Sequence, residues 1–284
     1  MNNKKYYIKQ SKITHPGKYL FLYSNLPDNI IDLCDIVQNL LLHIHWAERY
    51  GRIILDEEKH EEGLRKVERQ LELYIRNSSS KTFIQLNREQ KILGTCRDFS
   101  TLLCSFLRYK GIPARPRCGF AKYFDRTSNY KYDHWVCEYW DSKNNKWLLA
   151  DAQLDEFQCK ELNISFNTTN VPKELFMFAG EAWNFCRKNK DNPLNYGFCS
   201  GHEGLWFIKG NLIRDLLSLA KIELLPWDTN ELIGEYKKHI IQNKNYQLLD
   251  SVANVTTVTN PCFIEIKNLI KNNPILGMPF NWMP

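Results

Sequence analysis

The sequence predicts an α+β protein, and three observations carry that expectation. Apolar residues recur at helical spacing before residue 80 and again after residue 162. Between them lie two short runs rich in aromatic and β-favouring residues, His134–Trp140 and Lys146–Asp151, joined by turn-forming residues. A single compact helical pattern begins at Cys96, just upstream of those runs.

Composition sets the frame. Apolar residues make up 43% of the 284 and charged residues 25%, the balance of an ordinary globular chain that can bury a core. The 38 basic and 32 acidic residues leave +6, with the basic side chains scattered along the chain, so no nucleic-acid partner is expected. The start, MNNKKYYIKQSK, lacks the apolar run of a secretory signal, and no stretch reaches the length of a membrane span. A cytoplasmic protein without a membrane partner is expected. Nine cysteines with no CxxC pair suggest free thiols in a reducing compartment.

Taken in order, the stretch to Leu26 predicts irregular structure or a short strand. From Pro27-Asp28, Ile30, Leu33, Val37, Leu40, Leu41 and Ile44 predict an amphipathic helix ending near Gly51. A charged helix follows on the stripe Leu64, Val67, Leu71 and Ile75, ending at Ser78-Ser79-Ser80. After Leu162 the pattern predicts helices over Pro172 to Lys188, Leu205 to Leu224 and around Pro261 to Ile270. The tail from Pro274 to Pro284 reads as extended. With no internal repeat or linker, 1–284 is expected to form a single composite domain.

Gly94-Thr95-Cys96-Arg97-Asp98-Phe99 reads as a helix N-terminus, with Thr95 capping the amide of Asp98 and Asp98 reaching back. Phe99, Leu102, Leu103, Phe106 and Leu107 form its buried face, and Gly111 and Pro113 stop it. Cys96 in the first turn meets the positive end of the helix dipole and unpaired amides, which favour the thiolate. The same amides can stabilise an oxyanion.

In the following hairpin a four-residue loop, Asp141 to Asn144, would pair Trp140 with Asn145 and set His134 directly opposite Asp151. Any other even loop keeps both on one face, shifted by a step. His134 could then act as base toward Cys96, with Asp151 holding its tautomer. Singly, each has a plainer explanation: a small residue at a tight helix start, a strand-edge histidine, a turn aspartate. Together they point to acyl transfer at a cysteine nucleophile.

The segments GTCRDFSTLLCSFLRYKGIPAR, DHWVCEYWD and WLLADAQLD resemble the Cys, His and Asp motifs of bacterial transglutaminase-like proteins, over about Gly94 to Asp155. The later GLWFIKGNLIRDLLSLAKIELLPWD is also similar to a segment of full-length members. The resemblance implies a papain-like core, the Cys-bearing helix packed on an antiparallel sheet, with additional helices before and after. Its parts would be an N-terminal helical part at 27–80, a catalytic core at 81–160 and a mainly helical part at 161–284. It implies Cys96, His134 and Asp151 as the catalytic residues, no cofactor, and a peptide, protein or small amide as substrate. Family members resolve the thioester with water or an amine. Since no amine site is visible, hydrolysis is favoured, and the rival is a catalytically silent binding or scaffold module.

Other residues have plainer roles. A second oxyanion donor cannot be placed, and Gln90 reads as a surface residue. Cys199 and His202 lack a second ligand pair, so no metal site is expected. No calcium loop is visible, and metal-independent activity is expected. His43 and His45, two apart on the first helix, point to different sides and suit packing or surface roles. Arg97 and Asp98 suit capping and ion pairing, and Trp135 suits the core. Trp183, Arg187, Trp206, Arg214 and Trp227 are candidates for a cleft wall.

Overall fold

The computed structural model describes residues 3–125, 127–234, 241–258 and 261–278. The first segment is helical where irregular structure or a strand was expected: α1 spans Asn3–Ile8, and a 3-10 helix spans Gly17–Asn25. α2, Ile30–Leu40, starts where Asn29 accepts from the Asp32 amide at 2.8 Å. It stops well short of Gly51. Leu41–His43 leave the helix as strand β1, which pairs in parallel with β2, Ile92–Gly94. Leu40, Leu41 and Leu42 are all buried, and such a continuous apolar run fits a buried helix or a buried strand equally.

The charged helix is α3, Val67–Ser78, closed by Ser79 in the left-handed region at φ 52°. β2 leads through Thr95 into α4, Cys96–Tyr109. Leu102, Leu103, Phe106 and Leu107 on α4 are fully buried within one cluster that also takes in residues of α2 and α3. This helix packs on the sheet that follows.

That sheet holds β3 (Ala114–Ala121), β4 (Lys131–Asp141) and β5 (Lys146–Ala150). After the short α5, Glu156–Glu161, comes β6, Phe176–Phe178. The strand order is β5-β4-β3-β6, antiparallel throughout, and β7, Tyr196–Gly197, adds in parallel to β4. β6 corrects the expected helix over Pro172 to Lys188, of which only α6, Ala179–Arg187, is helical. Gly119 on β3 lies between His134 of β4 and Phe178 of β6. A Cβ there would stand 2.2 Å from the Met177 carbonyl oxygen, so the β6 contact needs glycine at this position.

α7 (Leu205–Leu219), α8 (Tyr246–Thr257) and α9 (Phe263–Asn272) complete the chain. α6, α7 and α8 share a second core with Phe120 of β3. A buried ion network ties α7 to the sheet. Asp215 of α7 accepts two bonds from the Arg117 guanidinium, both 2.9 Å, and one from the Cys118 amide at 3.0 Å. Arg117 and Arg115 also bond Glu138. Burial alone would push the Glu138 carboxyl up, but the two guanidiniums outweigh it and hold it below its usual range. The tail turns as a 3-10 helix at Pro274–Leu276 with Leu276 buried, and the remainder of the expected extended tail, 279–284, lies outside the described residues. Among the described residues, no helix is long and apolar enough to cross a membrane.

Candidate active site

Cys96 is the first residue of α4, so its amide has no carbonyl one turn earlier to bond. The cap differs in detail from the expected one. The Asp98 carboxylate accepts from both the amide and the hydroxyl of Thr95, at 2.8 and 3.0 Å. The Asp98 amide bonds the Thr95 carbonyl oxygen instead of the side chain. Arg97 ties this end to distant chain. It donates to the carbonyls of Arg65, Glu223 and Leu224 and to Asp98.

The hairpin register is two residues from the expected one. Asp141 still pairs, with Lys146, and Trp140 pairs with Trp147, so the four-residue loop is Ser142 to Asn145. The Asp141 carboxylate accepts from the Lys143 amide and the Asn144 side chain, and Asn145 takes the left-handed region at φ 52°. Continued one step past Cys137–Ala150, this register sets Asp151 level with Val136. The even shift keeps His134 on the same face, and the pair meets diagonally. His134 Nε2 is 2.7 Å from Asp151 Oδ2.

Asp151 is held from several sides. Its amide bonds the Thr168 carbonyl oxygen, its Oδ1 accepts from the Gln153 amide, and its Oδ2 also accepts from the Tyr123 hydroxyl at 2.7 Å. Burial, reinforced by Asp151, pushes the Tyr123 phenol well above its ordinary value, so it stays a donor. With Nε2–H donating to the carboxylate, His134 has Nδ1 as its basic atom. Phe124 packs edge-on against the imidazole at 4.8 Å between centroids. Nothing in the sequence singled out Tyr123. It lies two residues beyond β3 among aromatic residues, and only the folded sheet brings it to Asp151.

Cys96 and His134 line one cavity of about 480 Å³. Its wall includes Thr95, Phe124, Tyr132 and Asp133 from the core, and His43, His45, Trp46 and Arg49 from the segment after α2. Phe198, Trp206, Phe207, Arg214 and Trp227 close it from the C-terminal part. Of the residues expected on such a wall, Trp206, Arg214 and Trp227 are there. Trp183 and Arg187 are not: both bond Asp250 of α8, Trp183 from within the core. His43 and His45 also depart from expectation. They lie on β1 and the 3-10 turn Ile44–Trp46, and both face the cavity.

Trp135 is 1% exposed and packs with Cys96 and Cys118. Gln90 exchanges amide bonds with Asn77 and bonds the Asn87 amide, away from the cavity. Cys199 Sγ and His202 Nδ1 are 3.2 Å apart on an exposed loop, and among the described residues no group of three or more His, Cys, Asp or Glu is placed to hold a metal ion.

The thiol departs from the thiolate that the helix start alone suggested. Burial, then the Asp133 carboxylate, push Cys96 well above its ordinary value, against a hydrogen bond from the Trp135 amide that lowers it. Asp133 accepts from Asn211 Nδ2 at 2.7 Å. The pH profile of Cys96 alkylation by iodoacetamide, read by peptide mass spectrometry, is therefore expected to keep rising above pH ~9. Asp133→Asn, which removes the nearby negative charge, should move that profile to lower pH. An unmoved profile would rule out Asp133 as a cause.

Residues 52–152 match the model of the transglutaminase-like superfamily. No curated protein matches the chain. Among solved structures, one described as "a Putative Cysteine Protease from Cytophaga hutchinsonii" is similar at 16% identity and a TM-score of 0.34. That similarity covers 54% of this chain and 43% of the other, so this chain spans less than half the length of that one. The segment that matches the transglutaminase-like superfamily model runs from upstream of α3 through the Cys helix and the hairpin and contains Cys96, His134 and Asp151.

Proposed function

We propose that this protein is a cysteine-dependent acyl-transfer enzyme acting on an amide. The observation that carries the reading is the 2.7 Å pair of His134 Nε2 and Asp151 Oδ2, which makes Nδ1 the basic atom of an imidazole lining the cavity with Cys96. Because burial favours the neutral thiol, the proton passes from Cys96 to His134 as sulfur attacks the carbonyl carbon. Asp151 stabilises the imidazolium, and His134 then protonates the departing amine. The thioester is resolved by water, making the enzyme an amidase or peptidase, or by an amine. Hydrolysis is the favoured course, because water is abundant whereas an amine must be captured and water held off for transfer.

The cavity suits a small amide or a short peptide segment, being within the usual size of small-molecule sites. Its aromatic walls, Trp46, Phe124, Tyr132, Phe198, Trp206 and Trp227, favour an apolar or aromatic group beside the scissile carbonyl. A second reading, a silent binding module on the same fold, is favoured by the upward push on the Cys96 thiol. Incubation with p-nitrophenyl acetate separates the two. The enzyme should release a burst of nitrophenolate and carry an acetyl group on Cys96, seen by peptide mass spectrometry. No burst and no adduct on Cys96 would leave the binding module as the reading.

A further inference from the structure

His43 sits where the sequence placed no functional residue. The parallel pairing of β1 with β2 sets it opposite Gly94, two residues before Cys96. Its ring stacks on Phe99 of α4, 6.4 Å between centroids and 28° between planes, and it lines the cavity that Cys96 and His134 share. The His45 amide donates to His43 Nδ1 at 3.3 Å. That bond puts the ring proton on Nε2, and among the described residues Nε2 makes no hydrogen bond. His43 is a buried residue on the cavity wall, and a ring N–H there without a protein acceptor is available to a ligand. Burial, then His45 and His134, hold the imidazole well below its ordinary value, so it stays a neutral donor that does not compete for the thiol proton.

We propose that His43, through Nε2–H, is the second donor to the oxyanion formed at Cys96, the first being the Cys96 backbone N–H. The inference rests on the acyl-transfer reading above. As sulfur bonds to the carbonyl carbon, the C=O π pair moves onto oxygen, and the two N–H groups receive that charge. Collapse restores C=O and breaks the bond to the leaving group. His43 is thereby a catalytic residue, in contact with the reacting oxygen in the intermediate.

Two reactions of the same thiol test this. Acetylation by p-nitrophenyl acetate passes through an oxyanion, whereas alkylation by iodoacetamide attacks a saturated carbon and forms none. In His43→Phe the acetylation rate of Cys96 is expected to fall by roughly 10²-fold, the scale of losing one oxyanion donor, with the alkylation rate unchanged. His43→Gln, which keeps an N–H donor, should recover part of the loss. Equal losses in both reactions would overturn the proposal, since His43 would then act on the thiol or the fold. Unchanged acetylation in His43→Phe would overturn it too. Wild-type protein that alkylates at Cys96 but never acetylates there would instead overturn the acyl-transfer reading itself.

Discussion

His134→Ala is expected to lower the acetylation rate of Cys96 by roughly 10⁴-fold, the scale on which loss of a general base acts in such constellations. With the imidazole gone the thiol has no acceptor for its proton, and burial together with Asp133 already disfavours the thiolate. The partners behind the imidazole should give graded losses. Asp151→Asn keeps a carbonyl oxygen for Nε2–H and should lose less than Asp151→Ala, which leaves Nε2 and the Tyr123 hydroxyl without their shared acceptor. Tyr123→Phe removes one bond to the carboxylate and leaves Nε2 paired, so about a tenfold loss is expected, the size of one hydrogen bond to a charged group. Single-turnover rates from stopped-flow nitrophenolate release would measure the series. If His134→Ala retained near wild-type acetylation, proton transfer would have to run through another group, and the role given to the His134–Asp151 pair would fall.

Asp215→Ala is expected to cost about 3–5 kcal/mol of stability, the penalty for stranding one partner of a buried ion pair. Arg117 and Asp215 are within 1% of complete burial, and the carboxylate accepts from both the guanidinium and the Cys118 amide. Its loss leaves Arg117 with Glu138 and the Thr256 carbonyl oxygen, and the amide with nothing. The consequence reaches the site, because α7 also carries Trp206, Phe207 and Arg214 of the cavity wall. Urea unfolding should show a lower midpoint with little change in slope. The double variant Arg117→Met, Asp215→Leu should regain much of the loss, since apolar replacement of both partners removes the unpaired charge. A single-variant cost under about 1 kcal/mol would mean the network is solvated or redundant, against what burial of this kind implies.

Local signals were enough for part of this molecule. The capping pair Thr95 and Asp98 and the apolar face from Phe99 to Leu107 define the Cys96 helix within some fifteen residues, so its start needed no tertiary information. The aromatic alternation of His134–Trp140 likewise marks a strand, and parity alone keeps His134 and Asp151 on one face for any even loop.

Contacts between distant segments decided the rest. The hairpin register depends on Asp141 remaining in the strand and Asn145 accepting a left-handed turn, a balance that composition does not resolve. The helical period through Leu40, Leu41 and Ile44 continues smoothly into β1, and only pairing with Ile92–Gly94 turns that run into a strand and His43 into a cavity residue. Tyr123 reaches Asp151 through sheet geometry. Sequence by itself determined the α+β class, the Cys96 helix and the shared face of His134 and Asp151, because these rest on periods of a few residues. Tertiary structure decided the cavity, the placement of His43 and His45 on its wall and the charge preference of the thiol, because burial and the fields of Asp133 and neighbouring groups exist only once the chain has closed around them.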